Sequence, residues 1–206
     1  MKVRRDFIYD PGLVLYLPFY QSDGAAFKSK DSYGHLATVS GASWRPGGRY
    51  FDGVDDNIAL PATPVLSPTL GTILLWIRFG RSGTAEYLYS QNIDNWSVYH
   101  NGEDIRLYYD QILVAGWARV VGVDTWVHLA FTFGTGETGR GYEDAVEKAS
   151  GACSTSNPTE GLIKIGSLSN GATPFLGDIG EFYLYNRMLS SVEILYHYLA
   201  TKWRYR

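Results

Sequence analysis

Nine residues, Tyr50-Phe51-Asp52-Gly53-Val54-Asp55-Asp56-Asn57-Ile58, constrain this chain more than any other stretch, because they join a strand end, a tight acidic turn and a new strand. Gly53 takes positive φ at no steric cost, and Asp55, Asp56 and Asn57 bond nearby backbone amides and so favour a turn. The segment reads as a corner of an all-β fold.

Strand patterns recur on both sides of that corner. Leu13, Leu15 and Leu17 alternate with Val14, Tyr16 and Pro18, a buried opening strand closed by proline. A polar, glycine-bearing segment follows from Gln21 to Tyr33. Thr72 to Phe79 is apolar enough to be covered on both faces and reads as a central strand. Between Glu86 and Trp117, short apolar runs are broken at Asp94-Asn95, Asn101-Gly102 and Asp110-Gln111, which predicts an antiparallel meander. Trp126 to Phe133 alternates most clearly, with Val127, Leu129, Phe131 and Phe133 assigned to the core. Cys153 to Gly161 reads as loop, Leu162, Ile163 and Ile165 as a strand, and Phe182 to Tyr185 as the last strand. Ser190 through Glu193 fits a capping box, and Val192, Leu195, Tyr196, Leu199 and Trp203 recur at helical spacing. That spacing predicts a short helix, residues 190–204, docked on the sandwich through this stripe.

In their order, these words resemble the concanavalin A-like, laminin-G-like jelly rolls. The resemblance rests on Gly12 to Phe19, Asp31-Ser32-Tyr33-Gly34-His35, Gly41-Ala42-Ser43-Trp44, the Phe51 to Asp56 corner and Trp126-Val127-His128-Leu129-Ala130. It extends through Phe175 to Glu181 and Leu184 to Ser190. It implies an antiparallel two-sheet β-sandwich with one short C-terminal helix, and a hairpin turning at Asp144-Ala145 where Glu143, Ala145, Glu147 and Lys148 have helical propensity. The whole chain, residues 1–206, is expected to be one domain with an N-terminal extension at 1–11.

Composition narrows the partners. With 45% hydrophobic and 15% aromatic residues the chain can build a core and still have rings to spare for a surface. A net charge of −3 gives no footprint for phosphate backbones, so nucleic acid is not an expected partner. The basic Lys202, Arg204 and Arg206 read as complements to a helix dipole. Cys153 is the sole cysteine, which rules out an intramolecular disulfide and a cysteine-based zinc site. No segment is long and apolar enough to span a membrane as a helix, and no secretion signal is recognisable. Either a signal was trimmed or the protein leaves its cell without one, as in assembly into a virus particle, and the expected location is extracellular or a virion surface.

Catalysis is not expected. Retaining glucanases of the resembled fold carry Glu-x-Asp-x-x-Glu on one strand, so that two carboxylates flank a glycosidic bond about 5 Å apart. Neither Glu103-Asp104 nor Asp178-Ile179-Gly180-Glu181 completes that pattern, and the lyase words Gln-Ile-His and Tyr-x-Lys-x-Gly are absent. A glycoside hydrolase or lyase is therefore the third reading. His35, His100, His128 and His197 form no pair at metal-ligand spacing. Calcium is the one cofactor carried forward, with Asp31, Asp52, Asp178 and Glu181 as oxygen donors. Many members of the resembled family use an aspartate in Gly-x-Ile-Asp-Glu, and Gly180 stands at that position here.

A sugar presents a C–H face that an exposed ring can stack beneath, while amides and charged groups bond its hydroxyls. The rings of the meander that alternation turns outward lead to Tyr99, Tyr108 and Trp117 as ligand contacts, with Trp96, Arg106, Asn95 and Asn101 around them. The same rings also suit a second core layer or a subunit contact. Two functions follow: a non-catalytic recognition module for glycan or protein surfaces, or a structural subunit that self-assembles or sits on a virion scaffold.

Overall fold

A computed structural model of the protein describes residues 9–21, 24–92, 96–119, 122–157 and 159–205. The first eight residues of the expected extension, the Asp94-Asn95 break, Asn95 and Arg206 lie outside them. Up to the long central strand the elements are β1 (Leu13–Pro18), β2 (Ala26–Lys28), β3 (Leu36–Ser40), β4 (Ser43–Arg45), β5 (Gly48–Asp52), β6 (Asn57–Leu60) and β7 (Leu70–Phe79). The meander is β8 (Ala85–Gln91), β9 (Trp96–Asn101), β10 (Asp104–Tyr109) and β11 (Ile112–Ala118). Then come β12 (Trp126–Gly134), β13 (Thr138–Glu143), β14 (Val146–Ala152), β15 (Ile163–Ile165), β16 (Leu176–Tyr185) and α1 (Ser191–Thr201), which runs into a 3-10 turn at Lys202–Arg204.

The strands form two eight-stranded antiparallel sheets. The first runs β14-β13-β12-β7-β16-β5-β4, with β1 paired to the C-terminal half of β16 and β5 to its N-terminal half. The second runs β11-β10-β9-β8-β15-β6-β3-β2. Edge strand β2 lies in the polar segment after Gln21, where three residues, one of them apolar and half-buried, left no periodic signal. Between the sheets, alternate residues of each strand meet in one core. Ile73, Leu75, Ile77 and Phe79 of β7 face Trp96, Val98, Ile105 and Leu107 of the meander across it, together with the expected Val127, Leu129, Phe131 and Phe133. Each such side chain contributes about 1.5–3 kcal/mol on leaving water.

The corner at Asp52–Asp56 forms as its residues dictate. Gly53 has φ +77°, the Asp56 carboxylate accepts the Asp52 amide at 2.8 Å, and that of Asp52 accepts the Val54 amide at 2.8 Å. The hairpin at Asp144-Ala145 also forms, with φ of +49° and +65°, overriding the helical propensity around it. Cys153 is buried, and burial pushes its thiol pKa up.

The helix corrects an expectation. Its capping box is present, with the Glu193 amide donating to Ser190 Oγ at 3.3 Å and the Ser190 amide donating to Glu193 Oε2 at 2.7 Å. The face that docks, however, is Ile194, His197, Ala200 and Thr201; of the expected stripe only Tyr196 packs against the core, while Val192, Leu195, Leu199 and Trp203 are 44–73% exposed. The sheet beneath supplies the reason. Its outer face carries Trp76, Tyr183 and Tyr185, whose N–H and O–H groups need partners once covered. Trp76 Nε1 donates to Thr201 Oγ1 at 2.8 Å and the Tyr185 hydroxyl meets His197 Nε2 at 2.9 Å, bonds that an aliphatic stripe cannot make.

Candidate functional site

The helix packs on the first sheet; among the described residues, the outer face of the meander in the second sheet is left as the open platform, its side chains half-buried. Register places Tyr87 opposite Tyr99, Tyr99 opposite Arg106, and Arg106 opposite Gly116, one row across four strands. All three side chains are half-buried, and the rings of Tyr87 and Tyr99 lie 4.6 Å apart at 42°. Along β10, period-two alternation puts Asp104, Arg106 and Tyr108 on this same face, while Ile105, Leu107 and Tyr109 enter the core.

Arg106 is held between its strand neighbours. Its Nη2 donates to Asp104 Oδ2 at 2.7 Å and its Nη1 to the Tyr108 hydroxyl at 3.4 Å. These bonds, Asp104 first, push the guanidinium pKa up, so the cation is fixed in place. Because Asp104 balances its charge, the platform presents a forked donor without a net field. Gly116 leaves the far side of Arg106 open, and Leu113, 48% exposed, provides apolar surface beside Tyr108. Asp104 is a residue that the sequence reading missed, although it shares the alternation of Arg106 and Tyr108.

Other expected contacts are elsewhere. Trp96 has no exposed surface and packs edge-on to Tyr89, Tyr109 and Phe133 in the core, so it cannot stack beneath an external ligand. Trp117 opposes Ile105 and therefore turns inward, where it lies 5.6 Å from Phe131 and donates to Glu143 at 3.0 Å. It fills the space that Gly141 leaves, since a Cβ there would overlap its ring. Asn101 spends its side-chain oxygen on the amides of Glu103 at 3.0 Å and Asp104 at 2.6 Å, which builds the hairpin turn.

The four proposed calcium donors do not converge. Asp31 accepts the amides of Tyr16, Tyr33 and Gly34. Asp178 is paired to Arg78 at 2.8 Å and Arg45 at 3.6 Å. Glu181 is fully buried against Arg204 and the Tyr183 hydroxyl. Only Asp52 remains near other acids: among the described residues, the one group of carboxylate, thiol and imidazole side chains close enough to share an ion is Asp52, Asp55 and Asp56, with ligand atoms within 4.8 Å. Burial and then the neighbouring Asp52 and Asp55 charges raise the pKa of Asp56.

The histidines form no metal-binding group among the described residues. His35 stacks on Tyr33, His100 lies against Phe79, His128 lies under the helix, and His197 projects from the helix's buried face. Among the described residues, no helix is long and apolar enough to cross a membrane.

A family model described as the concanavalin A-like lectin/glucanases superfamily matches residues 51–195. No curated protein matches the chain. Among solved structures, the chain is similar to Trypanosoma rangeli sialidase in complex with sialic acid, with a TM-score of 0.75 and 17% identity over 94% of this chain and 33% of that one. It is also similar to the receptor binding domain of botulinum neurotoxin type G, with a TM-score of 0.73 and 16% identity over 92% of this chain and 51% of that one. The mosaic C/D serotype domain gives 0.73 and 12% over the same shares. The chain thus spans from a third to about half of these proteins.

Proposed function

The chain belongs to the concanavalin A-like lectin/glucanase superfamily, and from that membership we propose that it is a non-catalytic recognition module whose open sheet face binds glycan. The observation that carries this reading is the row of Tyr99 and Arg106 with Tyr108 beside it: aromatic faces to stack on a pyranose, and a fixed guanidinium to donate to its hydroxyls. Charge balance by Asp104 favours an uncharged sugar over an acidic one. Absence of catalysis is part of the proposal and is supported by the carboxylates: Glu181 is sealed under Arg204, and Glu103 stands on an exposed hairpin turn. Such a module belongs at an extracellular or virion surface. A glycan array tests it: binding to one sugar class that is lost in Arg106→Ala with the fold intact supports the reading, and an array without signal ends it.

A second reading, a self-assembling structural subunit, is favoured by the outward apolar stripe of Val192, Leu195 and Leu199 on α1. A regular oligomer by light scattering, with no sugar signal, would put it first. Calcium is retained as a proposal for the Asp52, Asp55 and Asp56 corner alone, whose carboxylate donors suit a hard cation.

A further inference from the structure

On the first sheet, beside the last turn of α1, we propose an oxyanion subsite in which Arg45 and Arg78 together hold the carboxylate or sulfate ester of an acidic saccharide. The saccharide rests on the glycan reading above; the anion rests on the two arginines alone. Register sets Trp126 opposite Arg78, Arg78 opposite Asp178 and Asp178 opposite Tyr50, one row across β12, β7, β16 and β5. Arg45 joins the row from β4, with its guanidinium 3.6 Å over the Tyr50 ring.

The two guanidiniums share one carboxylate. Arg78 donates from Nε at 3.2 Å and from Nη2 at 2.8 Å to Asp178 Oδ2, while Arg45 Nη1 stands 3.6 Å from Oδ1. Asp178 is buried and brings both forks to one spot. Among the described residues the Arg45 guanidinium makes no hydrogen bond, and Arg78 commits neither N–H of Nη1. The side chains of Arg45 and Arg78 are 44% and 30% exposed, so these donors are within reach of a solute.

Charge names the class of ligand. Two positive groups against one negative leave the cluster cationic, whereas Asp104 cancels Arg106 one to one on the open face. On the far side of Trp126, Lys202 and Asp144 offset each other. An arriving oxyanion relieves the repulsion between the like charges and takes donors in the planar, forked geometry that guanidiniums offer. A neutral sugar brings no such gain, and a cation is repelled.

The cluster is also ordered in advance. Tyr50 carries Arg45, Asp178 carries Arg78, and Arg78 lies 5.6 Å over Trp126. The β4–β5 turn is seated as well, since a Cβ on Gly47 would come within 3.2 Å of Trp126 Cζ2. Side chains already fixed lose little freedom when a ligand arrives.

The experiment is an NMR titration of nitrogen-15-labelled protein at constant ionic strength, reading the Trp126 indole N–H. The probes are methyl β-glucuronide, glucose 6-sulfate, methyl β-glucoside, sodium acetate and sodium sulfate. We expect a saturable shift with at least one acidic sugar and none with the neutral glucoside. Arg45→Gln should weaken it about tenfold, as loss of a hydrogen bond to a charged group implies. Because that guanidinium bonds nothing else, the variant should melt like the parent. A signal unmoved by both acidic sugars overturns the subsite, as does equal binding by Arg45→Gln. Acetate or sulfate binding as tightly as the acidic sugars overturns the saccharide assignment. A Trp126 shift that persists in Arg106→Ala upholds the subsite whatever the open face does; acidic sugars that instead move only Arg106 leave the open-face reading standing and end the subsite.

Discussion

The ring of Tyr205 lies directly on Gly180, so that any Cβ at position 180 would overlap it. Here Gly180 is a packing requirement, because Tyr205 is 5% exposed, stacks on Trp76 and packs at a tilt against Trp126. Gly180→Asp, which restores the acid of the resembled motif, should displace Tyr205 and cost about 1–3 kcal/mol as an overpacked site. Urea unfolding measures it; a variant as stable as the parent would mean that the ring simply moves aside.

Acid should loosen the helix. Burial lowers the pKa of His128 to about 3, with His197 adding to the effect, and burial lowers that of His197 to about 4. Both stand near 6.5 in an unfolded chain, so the unfolded state binds more protons between those limits. Stability from these two groups is complete above about pH 6.5 and falls as pH drops toward 3, by several kcal/mol in all. His197→Gln should flatten part of that slope in thermal melts taken from pH 7 to 4.

The two faces of α1 should respond oppositely. Ile194, with no exposed surface, should cost about 2–5 kcal/mol on mutation to alanine. Leu195→Glu and Leu199→Glu should change stability by no more than about 0.5 kcal/mol, since both side chains are already 44–45% exposed. If the chain self-assembles through this stripe, sedimentation should show that the same two substitutions release monomers.

Trp96 and Tyr99 separate core from platform within one strand. Trp96→Ala should cost about 3–5 kcal/mol, whereas Tyr99→Ala should leave the fold standing and remove a stacking ring from the open face. Denaturant midpoints read the first effect and glycan titration the second.

For the acidic corner, calcium at a hundredfold excess over its dissociation constant would add about 2.7 kcal/mol, visible as a raised Tm that chelator reverses. Asp56→Asn should abolish the response. A melting curve indifferent to both calcium and chelator would remove calcium from the account.

The fold was legible because its strands carry long, regular patterns: β12 and the meander declare a core face by alternation, and β7 is an apolar run long enough to be covered on both faces. Alternation also distinguished Tyr99 and Tyr108 from Tyr109. It misled for Trp117, because which of two faces is outward at a sheet edge depends on the strand packed beyond it, here the glycine-lined β13. Helical spacing misled in its turn for α1, where hydrophobicity named a stripe of which only Tyr196 packs, and hydrogen-bonding groups on the sheet selected the other face. Asp31, Asp178 and Glu181 looked like ligands because a sequence shows carboxylates without showing the amides and guanidiniums that occupy them.

Cys153, buried and with its thiol held protonated by its surroundings, leaves the exterior free of native sulfur nucleophiles. A cysteine placed at Leu113 or Leu199 would thus be the preferred target of a maleimide dye or spin label, and the open sheet and the outward helix could be reported on one at a time without first engineering the parent chain.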